Sequence, residues 1–387
     1  MIYLDNNATT RLAPEARTAM LPFFDEEYGN PSSPYALGGR AKEAAIAARK
    51  TICSWLDASM AELILTSGAT ESNHQAILGA LKMYPQRRHI ITTEVEHPST
   101  LKLCDWLATQ GIRITRLPVD SDGQIDLTQL QAAITPETAL VTMMWANNET
   151  GVIFPVEEVA AIAKAHGVLL HVDAVQALGK LPFDWQPFSW KNSAIDLLSF
   201  SGHKLHGPRG IGGLLVRKGV DLPALFFGSQ ERGRRGGTEN MPAIVGMGVA
   251  ASLLQAQTSS SFLRDRLEQK ILEALPNAII NGAAATRVIN TSNICFAGID
   301  AEALLIKLDK AGICASMGAA CQAGGNQPSH VLLAMGLTHE QTLSSLRFSL
   351  SRYTRQFEID TAADQIIAAV RSFEPQRFSP SPTAVFA

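Results

Sequence analysis

From about residue 36 onward, short apolar runs alternate with amphipathic stretches, the change of period expected of repeated βα units. The runs AELILTSG (61–68), HIITTEVEH (89–97), RITRLPVD (113–120), ALVTMMWANN (139–148), VLLHVDAV (168–175), DLLSFSGH (196–203) and GGLLVRK (212–218) predict seven strands. Between them, ESNHQAILGALKMY (71–84), STLKLCDWLATQG (99–111) and VEEVAAIAKAHG (156–167) carry helical periodicity, the last stopping on Gly167. Near-continuous apolar strands flanked by helices predict an α/β fold, a seven-stranded and mostly parallel sheet covered on both faces. Ligands then belong at the carboxyl ends of the strands. After Gly228 the texture changes to the Gly-rich, charged stretch GSQERGRRGGTENMP and a long helical pattern over 242–275, which marks a domain boundary. Beyond it, AIING, RVINTSNICFAG, AGICAS and SLRFSLSRY read as short strands and DAEALLIKLDK and IDTAADQIIAAVRSF as helices, a smaller α+β domain.

Composition narrows the class without changing that picture. A length of 387 residues, 46% hydrophobic and 18% charged, allows a large buried core and excludes disordered and low-complexity classes. A net charge of −3 lacks the electrostatic footprint of a nucleic-acid or anionic-membrane binder, so neither partner is expected. The five cysteines, at 53, 104, 295, 314 and 321, are scattered and never form a C-x-x-C pair, which argues against a disulfide framework and a structural zinc site. Asp5 falls where a secretory signal needs apolar residues, and no run approaches the ~18 apolar residues of a membrane span. A cytoplasmic protein is expected.

Candidate chemistry clusters just after the strands. TSGATESN joins a strand to a helix N-terminus, whose free N–H groups and dipole suit a phosphate, although an ordinary N-cap with Thr70 or Ser67 gives the same letters. Asp173 ends an apolar strand and needs a cation, a protonated nitrogen or a capping role to be buried there, with Gln176 three residues on. Lys204 follows Ser201 and His203 in SFSGHKLHGPRG, and lysines of lowered pKa form Schiff bases. An anion site, a buried acid and a later lysine together are what pyridoxal phosphate requires. His97 of TEVEHPS and Asn148 of WANNETG also end strands; His97 serves either as a backbone donor or as a ring that stacks on a flat cofactor and shuttles protons. Cys53, Cys104, Cys295 and Cys314 read as small buried hydrophobes, whereas Cys321 sits in GAACQAGGNQP, which has no apolar periodicity to bury it. An exposed thiol with pKa near ~8.5 has enough thiolate at neutral pH to act as a nucleophile.

In order along the chain, YLDNNATT, GNPSSPY, TSGATESN, EHPS, NNETG, HVDAVQALGK, SGHKLHGPRG, RRGGTEN and RFSLSRY resemble the cysteine desulfurases of the NifS and IscS kind, from Tyr3 to about Tyr353. That family belongs to the class V branch of fold-type I pyridoxal phosphate enzymes, which are homodimers with sites near the subunit interface. The resemblance implies a large cofactor domain over 14–257 and a small domain of 1–13 and 258–387 that carries the catalytic cysteine loop. It implies that Lys204 bears the cofactor covalently, that Asp173 and Gln176 contact its ring nitrogen and phenolic oxygen, and that His97 stacks on the ring. Ala69, Thr70, Ser201 and His203 hold the phosphate, and Thr238 reaches the phosphate of the partner subunit. Asn148 and Arg347 fix the substrate, Arg347 through its carboxylate. L-cysteine then becomes L-alanine, with Lys204 as base, His97 assisting and Cys321 as nucleophile. The sulfur remains on Cys321 as a persulfide and passes to an iron-sulfur scaffold or another sulfur acceptor protein. Cys321 touches a metal only transiently, through that persulfide in an acceptor complex.

Two departures stand out. Met317, Gly318, Ala319 and Ala320 precede Cys321 where the family often has a Ser-rich stretch, and RFSPSPTAVFA lacks the acidic, aromatic tail that docks an iron-sulfur scaffold. Selenocysteine lyase activity uses the same residues. A small amino-acid aminotransferase has no use for Cys321, and a non-enzymatic sulfur-carrier scaffold has none for Lys204, Asp173 and Arg347.

Overall fold

A computed structural model describes residues 1–182, 188–254, 260–318 and 328–373. Among these residues the strands, in chain order, are β1 Ile2–Tyr3, β2 Leu63–Thr66, β3 His89–Thr93, β4 Arg113–Leu117, β5 Thr138–Met144 and β6 Leu169–Asp173. They continue with β7 Leu197–Ser201, β8 Gly212–Val216, β9 Ala278–Ile280, β10 Thr291–Phe296, β11 Ile313–Cys314 and β12 Ser345–Ser349. The large sheet has seven strands in the order β2-β8-β7-β6-β5-β3-β4. All its neighbours are parallel except β8, which runs against both β2 and β7. The fold is therefore α/β with a seven-stranded, mostly parallel sheet, as the apolar runs predict.

The alternation of side chains along each strand explains why these runs are apolar throughout. Leu63 and Leu65 of β2, Val141 and Met143 of β5 and Leu198 and Phe200 of β7 enter one core, with the helices Ala36–Leu56, Val156–Ala165 and Met241–Leu254. Ile64, Leu140 and Leu197 point the other way, onto Ile77 and Ala80 of the helix Ala69–Met83 and Leu103 and Leu107 of the helix Pro98–Thr109. Edge strand β4 breaks the pattern with exposed Arg113 and Arg116, charges that discourage pairing with a further strand. The buried histidines His89 and His171 bond to hydroxyls on neighbouring strands, His89 to Thr138 and Thr115 and His171 to Thr142 and Ser199, so neither is an unpaired polar group.

A second core gathers Leu4 with residues between Leu263 and Val370. It packs the antiparallel sheet β12-β10-β9 against the helices Ser260–Ala274, Ala301–Lys310 and Gln356–Arg371. Of the helical pattern over 242–275, the described residues hold Met241–Leu254 and Ser260–Ala274, and 255–259 lie outside them. One detail differs from the sequence pattern. AGICAS contributes β11, which pairs with β1, and meets the three-stranded sheet through a bridge of Ser316 to Arg347, and Cys314 there is half-buried instead of a core residue.

The N-terminal residues stitch the two cores together. Leu4 N–H donates to Cys314 O and Leu4 O accepts from Ser349 N–H, while Thr10 and Ala13 N–H donate to His203 O and His206 O. On the far face of the large sheet, the helix Met241–Leu254 is apolar all round and lies so close to Ala36–Leu56 that a Cβ on Gly248 would stand 2.7 Å from Ala48 Cα. Gly248→Val is therefore expected to destabilise the chain by about 1–3 kcal/mol despite its better packing volume. Chemical unfolding monitored by circular dichroism checks this, and an unchanged midpoint rejects the close contact.

Candidate active site

Because β8 alone is reversed, the carboxyl ends of β2, β3, β5, β6 and β7 share one edge of the sheet, with the start of β8 between Thr66 and Ser201. A cavity of about 500 Å³ opens there. Ala69, Thr70, His97, Asn148, Asp173, Gln176, Ser201, His203, Lys204 and Arg347, all singled out in the sequence, line it. Thr238 does not; it is exposed on the loop before the helix Met241–Leu254. Cys321, and with it the expected nucleophile and the transient metal contact, lies outside the described residues.

The turn at Ser67–Gly68 starts the helix Ala69–Met83 without a capping side chain. Glu71 bends back to accept from Ser67 N–H at 2.8 Å and pairs with Arg235 at 2.8 Å, so neither Ser67 nor Thr70 acts as the cap. A Cβ on Gly68 would meet nothing within 4 Å, and beneath it a Cβ on Gly212 would stand 2.8 Å from the Gly68 backbone. Uncapped N–H groups around an open, glycine-lined concavity suit a phosphate.

Asp173 ends β6 and is held by Asn73 Nδ2 at 2.7 Å and Val175 N–H at 3.0 Å. His97 opens the helix Pro98–Thr109, its Nδ1 accepting from Ser99 N–H at 3.1 Å, which leaves Nε2 for chemistry. Burial lowers the His97 imidazole below its ordinary value, against the opposing pull of Asp173. Burial and the amine of Lys204 push His203 down to about 4, so it is neutral at pH 7. Lys204 Nζ donates to the backbone oxygens of Asn7 and Ala8 at 2.5 and 2.7 Å. Gln176 Nε2 donates to the same Asn7 oxygen at 3.1 Å, and the Gln176 Oε1 accepts from Lys180.

Arg347 of β12, 3% exposed, reaches the cavity from the second core. Its Nη2 donates to Asp5 at 2.7 Å and its Nη1 to Asn148 O at 3.0 Å, while the buried Nε has no partner among the described residues. Sequence reasoning quoted the YLDNNATT stretch but gave it no role; its signal was three polar residues, Asp5, Asn6 and Asn7, directly after buried Leu4. It also missed Glu149, a buried carboxyl raised by burial that accepts from Ser329 Oγ and presses on Gly318, where a Cβ would stand 2.6 Å from its oxygen. Gly318 and Ser329 flank the stretch that contains Cys321.

These residues fit pyridoxal phosphate: an open N–H cradle for the phosphate, a buried carboxylate for the ring nitrogen, an amine beside it and a neutral imidazole. The orphaned Nε of Arg347 at the other side leaves a donor for a carboxylate.

The family model "Aminotransferase class-V" matches residues 2–361. Over 383 residues, 97% of this chain and 95% of the relative, the sequence is 50% identical to cysteine desulfurase 2 of Trichormus variabilis. It is 47% identical over 384 residues to cysteine desulfurase NifS of Azotobacter vinelandii, covering 97% of this chain and 94% of that one. Among solved structures, a NifS-like protein superimposes with a TM-score of 0.88 at 34% identity, over 96% of this chain and 99% of the other. SspA in complex with cysteine gives 0.81 at 34% identity, over 92% and 100%.

Beside His97, Glu96 is fully buried, accepting from Thr93 Oγ1 at 2.7 Å and Met144 N–H at 3.0 Å, and burial raises its carboxyl to about 8. Between its ordinary value of 4.5 and about 8, the folded chain keeps this proton and the unfolded chain loses it. The stability it contributes is thus present at low pH and lost as pH rises. Glu96→Gln removes the linkage, so the unfolding constant of the variant relative to the parent is expected to fall between about pH 5 and 8, by up to about tenfold per unit. Urea unfolding across that range checks it; a pH-independent ratio means the carboxyl is ionised in the folded state.

Proposed function

The chain belongs to the aminotransferase class-V family, and from that premise we propose that it is a pyridoxal-phosphate-dependent cysteine desulfurase that converts L-cysteine to L-alanine and retains the sulfur on Cys321. The observation that carries this reading is the meeting of Lys204, Asp173, His97 and Arg347 around one cavity. The 50% identity to a cysteine desulfurase supports the choice of substrate. When bound, the cofactor supplies an electron sink at the substrate Cα. The N–H groups at the start of Ala69–Met83, with Thr70, Ser201 and His203, would hold its phosphate, Asp173 and Gln176 would pair its ring nitrogen and phenolic oxygen, and His97 would cover the ring.

Arg347 and Asn148 hold the carboxylate of L-cysteine, and their mutual contact through Asn148 O keeps the two together. Lys204 Nζ, aimed by the Asn7 and Ala8 carbonyls, takes the Cα proton, with His97 Nε2 as the neighbouring acceptor. The thiolate of Cys321 attacks the substrate sulfur, the new S–S bond forms as the Cβ–S bond breaks, the electron pair left on Cβ takes up a proton, and Lys204 Nζ returns its proton to Cα to give alanine. The persulfide sulfur passes to an acceptor, an iron-sulfur scaffold or another thiol protein.

Further parts of the reading concern assembly. We take 14–257 as the cofactor domain and 1–13 with 258–387 as the small domain; the second core, built from Leu4 and residues between Leu263 and Val370, supports the division, while Val288, Val331, Leu332 and Met335 cross it to join the first core. A homodimer is supported by Phe227, 86% exposed, and half-exposed Phe226 on the loop that carries Thr238, which would then reach the partner's phosphate site. A nucleophilic thiol needs a reducing compartment, which is the support for a cytoplasmic location.

Cys321→Ser is expected to keep the cofactor's colour and bind L-cysteine while making at least about a hundredfold less alanine. Mass spectrometry of the parent should find one added sulfur on the Cys321 peptide; normal turnover by the variant rejects Cys321 as the nucleophile. Lys204→Ala is expected to lose the covalent bond that borohydride fixes between cofactor and chain, and a surviving adduct would assign it to another lysine.

A further inference from the structure

Lys180 is a charged-type side chain with no place in the proposed chemistry, yet it is only 7% exposed and stands directly behind the cavity wall. Burial, with Lys204 and Arg347 nearby, pushes its amine well below the ordinary lysine value. Its position is specified by two contacts: the Nζ donates to Gln176 Oε1 and, at 3.5 Å, to Asn7 Oδ1. Asn7 O can only accept, so the Gln176 amide turns its nitrogen to that carbonyl and its oxygen to Lys180, whose amine donates to it. The amide nitrogen is then turned the other way. One of its N–H bonds goes to Asn7 O at 3.1 Å, and the second is left for the cavity that Gln176 lines.

We propose that Lys180 is a positioning residue that, together with the Asn7 carbonyl, holds the Gln176 amide with its nitrogen toward the cavity, so that Gln176 donates to the bound group. Without the lysine, the contact with Asn7 O alone opposes a turned amide, whose oxygen would repel an anionic cofactor oxygen instead of stabilising it. The role is specific to an anionic or acceptor atom at that point of the cavity, and it rests on the pyridoxal phosphate reading, in which Gln176 meets the phenolic oxygen. Asn7 closes the arrangement. Its Oδ1 faces Lys180 and Asn290, its Nδ2 donates to Asn148 O and Thr291, and its backbone oxygen receives both Gln176 and Lys204. Cofactor side and substrate side are thereby tied to one residue.

The test is a double-mutant cycle on the full chain, read by the dissociation constant of pyridoxal phosphate from the apoprotein and by the position of the bound cofactor's absorption band. Lys180→Met is expected to weaken cofactor binding about tenfold, the scale of one buried hydrogen bond, and to shift the band in the same direction as Gln176→Leu. The double variant should be no worse than Gln176→Leu alone, because the lysine acts only through that amide. Lys180→Gln is one atom too short to hold the Gln176 oxygen and should reproduce the shift, which covers the case of a poorly folding methionine variant. Losses that multiply in the double variant, or a Lys180→Met protein with the parent's affinity and band, overturn the proposal while leaving the cofactor reading intact. A Gln176→Leu protein indistinguishable from the parent overturns both this proposal and the assignment of Gln176 to the phenolic oxygen.

Discussion

The backbone oxygen of Asn7 is the point on which the site depends. A carbonyl buried at a cavity wall must be paired, and this one accepts from Lys204 and from Gln176 together. The segment around it does the same for its neighbours: Asp5 takes Arg347, Ala8 O takes Lys204, and the Asn7 side chain reaches Asn148 O, Lys180 and Asn290. Few of these residues could be moved singly without leaving a buried donor or acceptor unmet. The penalty for that, about 1–3 kcal/mol per group, is what converts a thin N-terminal turn into a rigid wall.

That wall works because of where the sheet puts its ends. One reversed strand, β8, allows Thr66, Asp173 and Ser201 to finish side by side while Gly212 tucks beneath Gly68. The glycines are a packing requirement: any side chain on Gly212 would collide with the turn that offers its N–H groups to the cavity. The second core then supplies what the sheet edge lacks. Arg347 comes from β12, more than a hundred residues beyond β8 in the chain, and is oriented by Asp5 from the opposite terminus.

Much of this was legible in the letters. Apolar runs located every strand of the large sheet within a few residues; except at edge strand β4, these strands are buried on both faces and have no polar alternation to confuse with a helix. Asp173, Lys204 and His97 were visible as polar residues at the ends of such runs, where burial needs a reason. The roles of Asp5, Asn7, Glu149 and Lys180 were not. Asp5, Asn7 and Glu149 are defined by partners far away in sequence, Asp5 by Arg347, Asn7 by Thr291 and Glu149 by Ser329, and no local period marks such a pair. The Gln176–Lys180 pair shows the opposite failing: its spacing of four is local, but an ordinary surface lysine has the same spacing, and only burial distinguishes the two.

Burial also sorts the charges around the cavity. It favours the neutral forms of His97, His203, Glu96 and Glu149, which is why the two histidines lie below their ordinary values and the two glutamates above theirs. A guanidinium cannot respond in that way, so Arg347 keeps its charge and must be held by Asp5 and Asn148 instead. The outcome is a cavity in which neutral imidazoles are ready to accept protons while a fixed cation awaits a carboxylate. Glu96, held neutral by burial beside the site, adds no negative charge against the phosphate or the carboxylate of the substrate, the two anionic groups the cavity must accept.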